Sequence, residues 1–273
     1  MLIITISTLF NRLDKIKPEQ FPIDKNIRYV ISCQGEKNRS DADYESHIIS
    51  LFGDTAIWGE QLIPGLSNNR NNAIKMASDN FAKQGYYIYI CDDDVTLVKE
   101  GLLEAINIMK NKNLACLTAV VGTETGFFKN YKSKPYKHTK LSIAKVSSIE
   151  ILADLDFINS HQIQFDARFG LGSKYPSGEE FIFLNDIITK KGRVIYYPAQ
   201  ICTHPPVSSG SDFYTDSGKI IAKGAMLSKV FSFPLNYIMI LAFSIKKHKI
   251  YQHKLSLLKF LRQMLKGSIE VNK

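Results

Sequence analysis

The stretch Tyr86-Tyr87-Ile88-Tyr89-Ile90-Cys91-Asp92-Asp93-Asp94 constrains the fold more than any other. A run of β-formers ends abruptly in three carboxylates, and a helical pattern (Leu102, Leu103, Ile106, Met109) follows. A strand that is apolar at every position is buried on both faces, as in a parallel sheet covered by helices. In such sheets the C-terminal strand ends open into the crevice where ligands bind. Three acids at that edge repel one another unless a cation or a positive field lies among them. Hard oxygen donors in that number suit Mg²⁺ or Mn²⁺, shared with a substrate phosphate. Asp also forms turns and caps helices, but a single one serves that purpose.

The remaining pattern is that of an α/β protein. Residues 3–7, 27–33, 114–121 and 193–197 read as further strands, with a short one near 55–58 and a weak one at 142–146. Helical periodicity runs from Ser67, a plausible N-cap, through Ile74, Ala77 and Phe81 to a stop at Gly85. Residues 153–161 read as a helix. A later one begins at Glu179-Glu180, buries Phe181, Leu184, Ile187 and Ile188, and stops at Gly192. This alternation predicts a Rossmann-like, mostly parallel central sheet with flanking helices. The four cysteines, Cys33, Cys91, Cys116 and Cys202, lie far apart and read as reduced, buried residues of a cytoplasmic protein. The apolar start lacks a basic region and a cleavage site, so it reads as a first strand and not as a signal peptide.

Three further stretches carry chemistry. The helix after Pro64-Gly65-Leu66 carries Arg70 and no acid in its opening residues, against the preference of the helix dipole. A cation there makes sense if both it and the dipole face a bound anion such as a diphosphate, although surface arginines are common. The loop from Phe169 through Gly170, Gly172 and Pro176 turns tightly before Glu179-Glu180, where acids are also what the dipole alone would select. His204 sits beside two prolines in a rigid, non-helical segment.

Charge separates the chain into two parts. The net charge is +9. Residues 219–273 hold eleven Lys or Arg against the single acid Glu270, so the rest is close to neutral. A neutral body offers no extended phosphate track and argues against nucleic acid. The basic, aromatic loop 126–140 (Phe127, Phe128, Tyr131, Tyr136 among five lysines) therefore reads as a substrate-covering loop. Residues 230–245 are apolar but interrupted by Ser232, Pro234 and Asn236, and fall short of the roughly 20 residues of a span. Residues 250–267 place Tyr251, Leu255, Leu258, Leu261 and Leu265 on one helical face, with Lys254, Lys259, Arg262 and Lys266 on or beside the other. That pattern predicts a basic amphipathic helix lying in an anionic membrane surface. The expected division is a body over 1–215 and a helical tail over 216–273.

The order of these features resembles the family 2 glycosyltransferases of GT-A fold. It comprises Thr8-x-x-Asn11-Arg12 after strand one, Gly65-Leu66-Ser67-x-x-Arg70-Asn71, the Asp92-x-Asp94 strand end, the Gly-rich loop into Glu179-Glu180, and the late His204. The resemblance covers residues 1–215. It implies a nucleotide-sugar donor, a UDP-sugar being favoured, a divalent Mn²⁺ or Mg²⁺ ion, and inversion at the anomeric carbon. Metal contacts fall to Asp94, Asp92 and His204, with Asp92 also reaching the ribose or a metal-bound water. Thr8, Arg12, Gln34, Arg70, Asp92 and Asp93 fall where the family grips the nucleotide, although the family often has an acid where Gln34 stands. Glu179-Glu180 matches the acidic pair whose second member is usually the catalytic base; Glu-Glu in place of the common Glu-Asp leaves both residues as candidates. Together with the tail, this implies transfer to a saccharide or lipid-linked acceptor in bacterial surface polysaccharide synthesis, on the cytoplasmic side of the membrane. Two other readings stand beside it. Asp92-x-Asp94-x-Thr96 is similar to the nucleophile motif of haloacid-dehalogenase-like Mg²⁺ phosphatases, but no later strand ends in an Asp pair. The third is a non-catalytic sugar-nucleotide binding module.

Overall fold

A computed structural model describes residues 1–81, 85–205 and 213–273. The strands are β1 (Leu2–Leu9), β2 (Ile27–Gln34), β3 (Ile57–Glu60), β4 (Tyr87–Asp92), β5 (Thr96–Leu97), β6 (Cys116–Thr123), β7 (Gly126–Phe127), β8 (Tyr136–Lys137), β9 (Ile151–Asp154) and β10 (Val194–Thr203). The helices are α1 (Asp41–Phe52), α2 (Leu66–Asn80), α3 (Lys99–Lys112), α4 (Leu155–Ser160), α5 (Glu179–Thr189), α6 (Ser217–Val230), α7 (Leu235–Tyr251) and α8 (Leu257–Glu270).

One sheet runs β3-β2-β1-β4-β9-β6-β10-β5. β1, β2, β3, β4, β6 and β10 point the same way, and the short strands β5, β7, β8 and β9 run against them. Successive strand side chains alternate between faces. Ile3, Val30, Ile88 and Ile90 therefore pack with Ala73 and Ala77 of α2 and Phe181 and Leu184 of α5. Leu2, Ile4, Ile6, Tyr29, Ile31 and Tyr89 pack with Tyr44 and Ile48 of α1 and Leu102 and Met109 of α3. This two-sided burial explains the uninterrupted apolar runs. The order reverses between β1 and β4, so their C-terminal ends frame a crevice.

Several local expectations are corrected. The segment read as a weak strand at 142–146 is a 3₁₀ turn, Ile143–Lys145. The helix expected over 153–161 starts two residues later. Asp154 ends β9 and caps α4 by accepting a hydrogen bond from the Phe157 N–H at 2.9 Å. α2 is capped by Gly65 at φ 114°, a backbone angle that serine would adopt only under strain, and Ser67 Oγ instead donates to the Phe169 carbonyl at 2.6 Å. The same helix ends at Asn80, ahead of the expected stop at Gly85. Loop 126–140 contributes β7 and β8 to the sheet. β10 runs past Tyr197, with irregular register between Tyr196 and Gln200 around Pro198, where a missing N–H is tolerated.

The tail departs furthest from expectation. The helix expected over 250–267 is interrupted at 252–256, and its leucine face is covered by protein. Phe260 and Met264 are fully buried, Leu261 and Leu265 pack against the core where α8 meets α6 and α7, and Leu258 points outward at 67 % exposure. α6 and α8 approach until their backbones touch. A Cβ at Gly224 would stand 1.9 Å from the Met264 carbonyl oxygen, and one at Gly267 would stand 2.0 Å from that of Ile221. Among the described residues no helix is long and apolar enough to cross a membrane.

Candidate active site

The crevice collects the sequence-predicted residues from seven elements. Thr8 lies at the end of β1, Arg12 on the 3₁₀ turn Phe10–Lys15, and Gln34 at the end of β2. Ser7 pairs in register with Asp92, so the acids emerge directly beside Thr8. Arg70 comes from α2, Glu179 and Glu180 open α5, and His204 follows β10.

The three aspartates have three environments. Asp93 is buried, accepts from the Thr8 hydroxyl, and accepts from Arg12 Nε at 2.8 and 3.0 Å. This pairing raises the Arg12 pKa further. Asp92 meets Arg70 Nη2 at 3.1 Å. Asp94 faces His204, whose Nε2 stands 3.4 Å from Oδ1, and its other oxygen is 3.3 Å from Arg12 Nη2. His204 beside it holds the Asp94 carboxyl below the usual carboxylate range, and Asp94 raises the His204 pKa in return. The mutual repulsion implied by three adjacent acids is thus relieved by Arg12, Arg70 and His204 in turn.

Arg70 is 2 % exposed and serves several partners at once. Besides Asp92, it donates to Glu179 Oε1 at 3.2 Å and to Ser148 Oγ at 2.7 Å, lies 3.9 Å from Glu180 Oε1, and covers the Phe165 ring. Arg70 sits one turn inside α2 and its hydrogen bonds go to protein groups. Glu179 is as deeply buried, and burial, with the Glu180 charge beside it, pushes its pKa up to about 7 against the pull of Arg70. Glu180 is more open, with 21 % of its side chain exposed. The Gln34 amide donates to the Ile63 carbonyl at 2.6 Å, fixing the loop ahead of α2.

Two cavities meet at the acids. One, of about 640 Å³, is lined by Thr8, Arg12, Gln34, Asn69 and Asp92 to Asp94. The other, of about 660 Å³, is lined by Arg70, Ser148, Glu179, Glu180, His204 and Lys223. Asp92, Asp94, Leu66 and Leu171 belong to both walls. Ser7 Oγ and Asn69 Oδ1 are buried at the first cavity without a hydrogen-bond partner, and so is Asp94 Oδ1 at the junction. Buried polar atoms are normally satisfied, so these three have hydrogen-bonding capacity left for water or a ligand.

For a divalent cation the fit is partial in protein atoms. Asp94 and His204 converge, but Asp92 is turned to Arg70, and among the described residues no group of three His, Cys, Asp or Glu could hold an ion. Two protein ligands with an orphaned carboxylate oxygen suit an ion whose other ligands are water and substrate phosphate.

Sequence reasoning missed Ser148, Asn69 and Lys223. Ser148 sits in a 3₁₀ turn with a Ser147–Glu150 capping box, and no motif marks it as part of a site. Asn69 Nδ2 donates to the Thr8 carbonyl at 2.9 Å, joining α2 to β1. Lys223 of α6 was read only as one cation of a basic tail. It lines the second cavity with no hydrogen-bond or ion-pair partner among the described residues. Burial lowers its pKa, with Glu180 and Glu179 opposing the shift.

No protein-family model and no curated protein matches the sequence. Solved structures do match the fold. Residues 1–349 of S. aureus TarS superpose with a TM-score of 0.57 at 14 % identity, over 97 % of this chain and 81 % of that one. The same protein in complex with UDP-GlcNAc gives 0.61 at 12 % identity, over 98 % and 79 %. The mannosyltransferase PcManGT from Pyrobaculum calidifontis, in complex with GDP-Man and Mn²⁺, gives 0.59 at 10 % identity, over 99 % and 74 %. The chain therefore has the GT-A-like fold of these proteins, with a mixed sheet flanked by helices.

Proposed function

We propose that the protein is a glycosyltransferase that moves a sugar from a nucleoside-diphosphate donor to an acceptor hydroxyl. The observation that carries this reading is the pair of cavities divided by Asp92 and Asp94, with Glu180 open to the second. It is supported by the fold and by the ligands bound in the similar structures, UDP-GlcNAc and GDP-Man with Mn²⁺. The first cavity takes the nucleotide, with a UDP-sugar favoured. Ser7 Oγ and Asn69 Oδ1 meet polar groups of the nucleoside, while the Asp93 clasp with Thr8 and Arg12 holds the end of β1 in place.

Asp94 and His204 would hold Mn²⁺ or Mg²⁺, which when bound supplies Lewis-acid neutralisation of the departing diphosphate. The other steps belong to the chain. Arg70 fixes Asp92 and Glu179 in place and keeps a positive field beside the leaving group. Glu180 takes the proton from the acceptor hydroxyl as it attacks the anomeric carbon from the face opposite the diphosphate, which gives inversion. Glu179 is the less suitable base, because it is buried and already committed to Arg70. The acceptor is a saccharide or a lipid-linked saccharide, used on the cytoplasmic side of the membrane in surface polysaccharide synthesis. The phosphatase alternative requires a free Asp92 nucleophile, and Arg70 holds that carboxylate.

The test is a panel of nucleoside diphosphate sugars, scored for Mn²⁺-dependent thermal stabilisation and then for donor hydrolysis with anomeric product analysis by NMR. Stabilisation by a UDP-sugar with release of inverted sugar supports the proposal. Absence of any nucleotide-dependent shift overturns it.

A further inference from the structure

α7 is built inside out for a surface helix. Its inward face carries Asn236, Ser244 and Tyr251 together with Ile240, all buried. Their donors are satisfied within the tail: Asn236 Nδ2 donates to Ser228 Oγ at 3.3 Å, Ser244 Oγ to the Ile240 carbonyl at 2.8 Å, and Tyr251 Oη to the Ser244 carbonyl at 2.7 Å. The outward face is apolar. Leu235, Ile238, Leu241 and Ile245 recur three and four residues apart, which is one helical stripe, and each is 45–59 % exposed. Phe233, 80 % exposed, stands immediately before the helix. The stripe then changes to charge: Lys246 and Lys249 are exposed in the last turns, Lys254 follows, and Lys259, Arg262 and Lys266 are exposed along α8. Only Glu270, paired with Lys266 at 3.7 Å, offsets them within residues 219–273.

We propose that the outward face of α7, with Phe233 at its tip, is the surface by which the protein lies on an anionic lipid bilayer. An apolar stripe bordered by lysines is the pattern of a helix lying in the plane of an interface: the apolar side chains enter the acyl boundary and the lysines meet anionic headgroups. Charge selects lipid as the occupant, because the excess of ten positive charges is confined to residues 219–273 while the rest of the chain is near neutral. This replaces α8, whose Leu257, Leu261 and Leu265 pack on the core, as the docking element. It also has a consequence for the site. α7 packs on α6, and Lys223 and Met226 of α6 line the second cavity, so the docking face and that cavity are joined through one helix. Delivery of a lipid-linked acceptor there rests on the glycosyltransferase reading, whereas docking itself does not.

The test is co-sedimentation of the full chain with phosphatidylcholine vesicles, with and without phosphatidylglycerol, at low and at high salt. Wild type is expected to bind only the anionic vesicles and to be released by salt. Ile238→Ser with Ile245→Ser should lower the vesicle-bound fraction at least tenfold. Lys246→Glu with Lys249→Glu should remove the dependence on phosphatidylglycerol, and Leu258→Ser on α8 should bind as wild type does. Circular dichroism and UDP binding with Mn²⁺ are measured on each variant and should match wild type, which separates docking from folding and from the donor site. Vesicle binding by a chain that fails to bind any nucleotide would leave docking standing and remove the transferase reading. A wild type that ignores anionic vesicles at low salt, or an Ile238→Ser/Ile245→Ser variant that binds them fully, overturns the proposal. A dimer in analytical ultracentrifugation that the same double substitution dissociates, without vesicle binding, overturns it in favour of a contact between copies.

Discussion

Asp94 Oδ1 faces His204 Nε2 across 3.4 Å and, although buried, accepts no hydrogen bond from it. Two groups from distant parts of the chain are thus held close but short of contact, at the point where the two cavities join. Asp94→Asn is expected to lose Mn²⁺-dependent UDP binding by more than tenfold while keeping the wild-type melting temperature without metal. An amide cannot balance the ion's charge, and removing one of three adjacent acids costs the apo fold little. Isothermal titration of UDP with and without Mn²⁺ reads the difference; equal affinities would remove Asp94 from the metal site.

The same pair sets a pH dependence. The His204 pKa is raised by Asp94 above its ordinary 6.5, so its contribution to apo stability is complete below 6.5 and is lost as pH rises through the raised value. The Asp94 pKa is depressed below 3.8, so its contribution is complete above 3.8 and is lost as pH falls through the lowered value. The stability difference between wild type and His204→Gln should therefore be largest between about 4 and 6.5 and shrink above that range. With Mn²⁺ and UDP present the trend in affinity should reverse, since only neutral imidazole binds a metal. Denaturation midpoints across pH, with and without ligand, test both signs.

Within the acidic pair, the two glutamates should fail in different ways. Glu180→Gln is expected to stop transfer while leaving donor affinity and stability near wild type, because a base acts only as the acceptor attacks. Glu179→Ala removes a buried partner of Arg70 and should cost on the order of 3 kcal/mol of stability. If Glu179→Gln is the inactive, stably folded variant and Glu180→Gln is active, the roles must be exchanged.

Lys223 is partly buried in the wall of the second cavity, and among the described residues no counter-ion is in contact with it. Lys223→Met should stabilise the fold by about 1 kcal/mol, since burying a charge is costly and methionine fills similar space. It should at the same time reduce turnover with acceptor, while donor hydrolysis stays the same. Urea denaturation together with the two rates would show it, and a variant that is less stable than wild type would contradict the assignment.

Deleting residues 257–273 should unfold or severely destabilise the whole chain. The deletion removes Phe260 and Met264 from the core and uncovers α6, and large core deletions cost several kcal/mol per side chain. A cooperative, wild-type-like melting transition in the truncated protein would show the tail to be an independent appendage.

The legible parts of the chain were those where one physical demand fixes the residue. The apolar run ending in Asp92 announced a doubly buried strand with its ligand edge, and the order of the crevice residues along the chain could be read because they sit at strand ends and helix starts. Partnerships were not legible. Nothing in the spacing of Arg70, Asp92, Ser148 and Glu179 says that one guanidinium joins them, since that depends on three elements meeting in space. The leucine stripe of 250–267 misled for a related reason. An amphipathic face requires an apolar partner, and sequence alone cannot tell lipid from a neighbouring helix. Gly224 and Gly267, which admit the close approach of α6 and α8, were the residues that decided it.

The close approach of α6 and α8 at those two glycines reaches beyond packing. It fixes how deeply α6 is set, and hence how far Lys223 and Met226 intrude beside Glu180. The width of the second cavity therefore depends on a seam outside the residues that line it. In the proposed transferase, substitutions along the C-terminal helix would alter which acceptors are admitted before they alter the bond-making step, so selectivity could be tuned without touching the chemistry.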